Sequence, residues 1–123
     1  MNRTGFSPTP VATGRAIGLL PHDLPNIVEL DATLRRSAEE HGFQLFAMEF
    51  IEPGDDKAVL RLMNLAWNTR AEAAFAFNRN HLRNCDIESL VKVVDLYCLE
   101  ERQRLVADRH GMKSIALDDP ASS

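Results

Sequence analysis

Residues 15–51 read RAIGLLPHDLPNIVELDATLRRSAEEHGFQLFAMEFI, and this stretch decides the fold. Residues 15–20 form a short apolar run that stops at a proline, and residues 43–51 form a second one. Such runs are typical of strands buried on both faces of a sheet. Between them apolar side chains recur at helical spacing, and these are Ile27, Leu30, Leu34 and Ala38. Gly42 is then a suitable helix stop, so the stretch predicts a strand, a helix and a parallel strand.

The same alternation continues towards the C-terminus. We predict helices over 57–68, after Asp86 and over 100–110, and strands over 73–77 and 96–99. Strands that alternate with helices imply a parallel sheet covered on both faces. Right-handed crossovers leave few topologies. The predicted fold class is therefore α/β, a small three-layer α/β/α domain with a four-stranded, mainly parallel sheet in the order 2-1-3-4.

Chain length and cysteine content indicate one domain in a reducing compartment. The 123 residues fit a single domain, which we place at 15–112, between a flexible leader over 1–14 and a flexible tail over 113–123. The two cysteines, Cys85 and Cys98, have no short-range partner motif, so we interpret them as buried thiols. The N-terminus does not resemble a secretory signal, and we expect a cytoplasmic protein.

Charge and motif content exclude several classes of partner and cofactor. The formal net charge of −4 argues against a stand-alone nucleic-acid binder, although it leaves room for a local basic patch. No stretch approaches the ~20 apolar residues that span a bilayer, so we expect no membrane partner. The chain carries no phosphate-binding loop and no dinucleotide-binding fingerprint, and its four histidines lack metal-ligand spacing. We therefore expect neither a cofactor nor a metal.

A site in such a sheet is expected beyond the carboxyl ends of the parallel strands. His22 and Asp23 follow the first strand and are candidates for a general base with its orienting carboxylate, and His81 is a third catalytic candidate. A plain Pro-His-Asp turn is the alternative interpretation of the first pair. Residues 78–84 form the most unusual loop, and its candidates for binding an anion or DNA are Arg79, Arg83 and Asn84. A solvated loop is the alternative there.

Two further segments have structural interpretations. Trp67 lies among apolar residues at helical spacing, which indicates either a core position or an interface anchor. Leu60 and Leu65 fall off the main apolar face of the same helix, so self-association is a reasonable expectation. The charged run over 100–104 is typical of a solvated helix face.

The order of these segments resembles a known family. The opening RAIGLL, a helix ending AEEHG at Gly42 and a strand directly after it are similar to the N-terminal catalytic domain of serine recombinases, the resolvases and invertases. In that family the third strand leads into a loop of the type Asp-Arg-Leu-Gly-Arg, where this chain has NHLRN over 80–84. The resemblance covers roughly residues 15–99 and rests on pattern and order.

The resemblance implies a resolvase-like fold and, in an intact family member, a serine that attacks a DNA phosphodiester with supporting arginines. This chain departs from that pattern at each of these groups. Leu19 stands at the family's tyrosine, Pro21 at an arginine and Asp23 at the serine, while His81 and Asn84 stand at the loop arginines. An aspartate at the nucleophile position would face the phosphate without the arginines that offset its charge.

We therefore expect a catalytically inactive, resolvase-like domain that acts as a regulatory or interaction module. Its expected partner is a second copy of the chain or another protein. Two alternatives stay open, a DNA-associated recombinase-like protein and an enzyme that uses a remodelled crevice at the strand ends.

Overall fold

The computed structural model describes residues 14–52, 57–77, 82 and 87–117. Its elements in chain order are β1 (Gly14–Pro21), α1 (Ile27–Glu40), β2 (Phe43–Ile51), α2 (Ala58–Thr69), β3 (Ala73–Ala76), α3 (Ile87–Leu90), β4 (Asp95–Cys98), β5 (Gln103–Asp108) and β6 (Gly111–Ala116). The first seven elements alternate as the apolar pattern predicts. The α/β class is confirmed.

One sheet of six strands in the order β2-β1-β3-β4-β5-β6 holds the chain together. The first four strands in this order pair in parallel, and β5 and β6 add antiparallel strands at one edge. The prediction of a four-stranded sheet is therefore wrong in its extent. The predicted order 2-1-3-4 is reproduced among the parallel strands. β1 lies next to β3, so the chain reverses its direction of winding at that point.

Helices cover both faces of the sheet. On one face, α1 buries Leu34 and Ala38 against a cluster that includes Phe75. On the other face, α2 and α3 bury a second cluster that includes Leu62 and Leu90. Strands β3 and β4 carry side chains into both clusters, as strands covered on both faces must.

The helix predicted over 100–110 is wrong, because β5 and the turns on either side of it occupy these residues. Leu105 explains the difference: its side chain is 1% exposed and belongs to the α2-side cluster, and it pairs with Leu96 of β4. Gly111 has a φ of +118° and opens β6 after a short turn, rather than ending a helix. Strand pairing thus overrides a helix-favouring composition. Strand β6 also occupies residues 113–116 of the predicted tail.

No helix in the described ranges is both long enough and apolar enough to cross a membrane.

Candidate functional site

The carboxyl end of β1 carries the first predicted site residues. His22 and Asp23 lie in the turn after β1, and both are exposed. The backbone N–H of His22 donates to the carbonyl of Ile51 over 2.7 Å, which ties the turn to the end of β2. Neither of the two side chains forms a hydrogen bond or ion pair with another described residue.

The remaining predicted site residues lie outside the described residues, and these are Arg79, His81, Arg83 and Asn84. The crevice expected at this edge of the sheet therefore stays a prediction. Cys85 lies outside them as well, whereas Cys98 is fully buried on β4.

A cleft of about 610 Å³ lies between the end of α2 and the turn after α3, near the amino ends of β3 and β4. We call it the Trp67 cleft, and its lining residues are Ala66, Trp67, Arg70, Ala71, Lys92 and Val93. The Trp67 side chain is 80% exposed, so the core interpretation of this residue is wrong. Leu60, two helical turns earlier on α2, is 60% exposed, and Val93 across the cleft is 37% exposed.

The end of α2 fixes Arg70 in this cleft through an unusual backbone conformation. Arg70 has φ 56° and ψ 40°, in the left-handed region. The N–H of Ala71 donates to the carbonyl of Ala66 over 2.8 Å, five residues back, which is the bond expected for a Schellman motif. The residue in the left-handed position of this motif is usually glycine, because a Cβ there costs ~1–2 kcal/mol. This chain places an arginine there instead.

The charges in the Trp67 cleft are both positive. Arg70 and Lys92 are exposed, and within the described ranges neither side chain forms an ion pair. Arg61, on the same helix, donates instead to Glu49 of β2 over 3.1 Å. The Trp67 cleft therefore combines an exposed indole with two cations that no described carboxylate neutralises.

Four aromatic rings pack together on the α1 side of the sheet. Phe75 and Tyr97 stack with ring centroids 4.5 Å apart and an interplanar angle of 13°. Phe43 meets both rings edge-on at 5.7 and 5.8 Å. His41, which ends α1, contacts Tyr97 at 5.3 Å and Phe75 at 5.8 Å. This cluster fixes the Tyr97 ring beneath the β5–β6 edge of the sheet.

Arg104 of β5 lies directly beside this cluster, because it pairs with Tyr97 across the antiparallel ladder. Interaction of the Arg104 guanidinium with the Tyr97 side chain is the main cause that raises the pKa of Arg104 above its usual value; partial burial opposes it, and electrostatic attraction to Tyr97 and Asp95 adds to it. Its Nε is buried without a hydrogen-bond partner among the described residues. A buried donor left unpaired in this way costs ~1–3 kcal/mol.

No group of three or more metal-ligating side chains occurs in the described part of the chain. No protein-family model, no curated protein sequence and no solved structure matches this chain.

Most of the residues in these two places carry no distinctive sequence signal. The charged run over 100–104 indicates a solvated helix face for Arg104, and His41 only precedes the helix stop at Gly42. Arg70 and Lys92 had no distinguishing pattern. The one signal available was Trp67, for which the interface interpretation was already an alternative.

Proposed function

We propose that this protein is a non-catalytic interaction module with a resolvase-like fold, and that it binds an acidic segment of another protein in the Trp67 cleft. The observation that carries the proposal is the 80% exposed Trp67 beside two cations, Arg70 and Lys92, that no described carboxylate neutralises.

The apolar part of the cleft supports a protein as partner. Tryptophan and arginine are the residues most enriched at the centres of protein interfaces, where burying a large ring contributes much of the affinity. Leu60 and Trp67 lie seven residues apart on α2 and share one stripe of the helix. Val93 adds apolar surface on the opposite side of the cleft.

The two cations of the Trp67 cleft favour an acidic segment over a second copy of the chain and over duplex DNA. Arg70 and Lys92 attract an acidic segment locally by electrostatic complementarity, against the formal net charge of −4 of the whole chain. A symmetric dimer across this cleft would bring Arg70 and Lys92 of both copies into one interface, which costs free energy. Duplex DNA is less favoured, because phosphate binding draws on a larger set of lysines and arginines than this cleft provides.

The carboxyl end of β1 supports the non-catalytic part of the proposal. Asp23 occupies the position of the serine nucleophile in the resemblance to serine recombinases, and its side chain is an exposed turn residue with no described partner. His22 beside it is in the same situation. Among the described residues, no side chain bonds to either one in a way that would orient a nucleophile or base.

Intrinsic fluorescence tests the proposal directly, because Trp67 is the sole tryptophan of the chain. The probes are pools of short synthetic peptides that alternate apolar residues with Asp or Glu, and matched pools with Lys in place of the acids. We expect the acidic pools to shift the Trp67 emission to the blue and the basic pools to leave it unchanged. Arg70→Gln/Lys92→Gln should abolish the shift.

The matched control is Arg36→Gln/Arg109→Gln, which removes the same charge from exposed positions outside the cleft. Three results would contradict the proposal. One is the absence of any shift with the acidic pools. Another is self-association in sedimentation velocity that Trp67→Ala abolishes, which would assign the cleft to a second copy. The third is salt-sensitive binding of duplex DNA that is lost in the Arg70/Lys92 variant.

A further inference from the structure

A second concave site lies on the other face of the sheet, between the end of α1 and strands β4 to β6. We call this cavity of about 290 Å³ the Arg104 pocket, and its lining residues are His41, Tyr97, Arg104, Ile115, Ala116 and Leu117. The lining combines one permanent cation, an imidazole and a phenol with an apolar half from β6 and the residue after it. None of these lining residues is acidic.

Arg104 contributes a guanidinium to the lining of this pocket. Its Nε is buried and has no hydrogen-bond partner in the described ranges. The Oδ2 atom of Asp95 lies 4.0 Å from that Nε, which is too far for a hydrogen bond. A guanidinium presents its donors in a planar fork that matches a carboxylate. A guanidinium has five N–H donors, so Arg104 retains donors for a further anionic group, although Asp95 already forms a long ion pair with its Nε.

His41 provides a second group with one free nitrogen. Its Nδ1 donates to the carbonyl of Ser37 over 2.8 Å, because a carbonyl can only accept. Nε2 is therefore the ring nitrogen left for a ligand, and it donates to a carboxylate in the imidazolium form of the ring. His41 also ends α1, where the helix dipole favours a cation. The two positions are linked through Tyr97, whose ring contacts both His41 and Arg104.

We propose that the Arg104 pocket binds a small organic monocarboxylate, with its carboxylate on Arg104 and His41 and its apolar body against Ile115 and Leu117. The volume is at the lower end of the range for small-molecule sites, which limits the ligand to a compact acid.

Carboxylates near the Arg104 pocket favour a ligand that carries a single negative charge. A wider groove of about 720 Å³ adjoins the Arg104 pocket and shares His41 and Leu117 with it. Glu40 and Glu100 line this groove. A second anionic group on the ligand would approach these carboxylates and be repelled. The proposal is independent of the Trp67 cleft, which lies on the opposite face of the sheet.

Isotope-edited NMR of the full chain tests this proposal with three probes, sodium benzoate, neutral benzamide and inorganic phosphate. We expect benzoate to shift the Nε–H resonance of Arg104 and the backbone amides of Ala116 and Leu117 in a saturable manner at millimolar concentration. Benzamide lacks the charge and should leave the Nε–H resonance unmoved. Phosphate lacks the apolar body and should bind at least several-fold more weakly than benzoate.

Two variants assign the binding to Arg104. Arg104→Gln should raise the benzoate dissociation constant ~10-fold or more, because it removes charge-assisted hydrogen bonds. Arg104→Lys keeps the charge without the fork and should give an intermediate loss; it also serves if the glutamine variant does not fold. Arg35→Gln is the control, since Arg35 is an exposed arginine of α1 that pairs with Asp31.

Three outcomes would overturn the proposal. Equal binding of benzoate and benzamide would reduce the pocket to an apolar cavity. Phosphate binding as tight as benzoate would make it a site for inorganic anions. The absence of any saturable shift, with well-dispersed spectra of the folded protein, would show that no carboxylate binds there.

Discussion

Replacing Arg70 with glycine should stabilise the protein while weakening the proposed binding in the Trp67 cleft. Arg70 has a φ of 56°, and a Cβ in that region costs ~1–2 kcal/mol. Glycine removes this cost but gives the unfolded chain more conformational freedom, which lowers the free energy of unfolding by ~0.5–1 kcal/mol. The net gain in the free energy of unfolding is therefore ~1 kcal/mol. For a domain of this size the gain corresponds to a rise of ~4 °C in Tm.

The variant Arg70→Ala separates the backbone effect from the loss of the side chain. Alanine removes the guanidinium but keeps the Cβ, so it should show none of the stabilisation. Urea unfolding followed by far-ultraviolet circular dichroism measures both variants, and the slope of the free energy against denaturant should stay constant. Arg102 has a φ of 54° in the turn before β5, and its glycine and alanine variants should differ by a similar amount.

A glycine variant of Arg70 no more stable than the alanine variant would refute the reasoning from backbone conformation. If the glycine variant is more stable and still binds the acidic peptides with unchanged affinity, the arginine has no binding role. The combination that we expect, higher stability with weaker binding, is the usual signature of a residue kept for function at a strained position.

Three further predictions concern packing. A Cβ built on Gly18 would lie 2.6 Å from the sulfur of Met48, whose flexible side chain must then move, so Gly18→Ala should lower the free energy of unfolding by ~1 kcal/mol, and a double-mutant cycle with Met48→Ala should recover part of that loss. In a Cys85→Ser background the fully buried Cys98 should react with a thiol reagent only as fast as the protein unfolds, and rapid labelling of the native state would contradict its burial. Trp67→Ala should change the free energy of unfolding by less than ~0.5 kcal/mol in thermal and urea unfolding, because the ring is 80% exposed; a larger loss would show that the ring packs against the protein.

The sequence alone determined the parallel part of the fold. The predicted bounds of β2 match the structure, because the apolar run over 43–51 lies between the helix-ending Gly42, with φ +89°, and a polar stretch of sequence that starts at Glu52. Helix α1 followed from its apolar spacing, and the neighbouring strands followed from the alternation of strand and helix. These features are local or nearly so, and a short stretch of sequence carries them.

The tertiary structure decided what lies at the edge of the sheet and on the outer surfaces. Residues 103–108 have a helix-favouring composition, yet they form β5 because Leu105 is buried beside Leu96 of β4, a contact that no local pattern reveals. That pairing places Arg104 against Tyr97 and creates the Arg104 pocket. In the same way, only the packing of α2 against the sheet shows that Trp67 faces outward. Periodicity identifies which side chains can share a face, whereas the contacts between distant segments decide which face is buried.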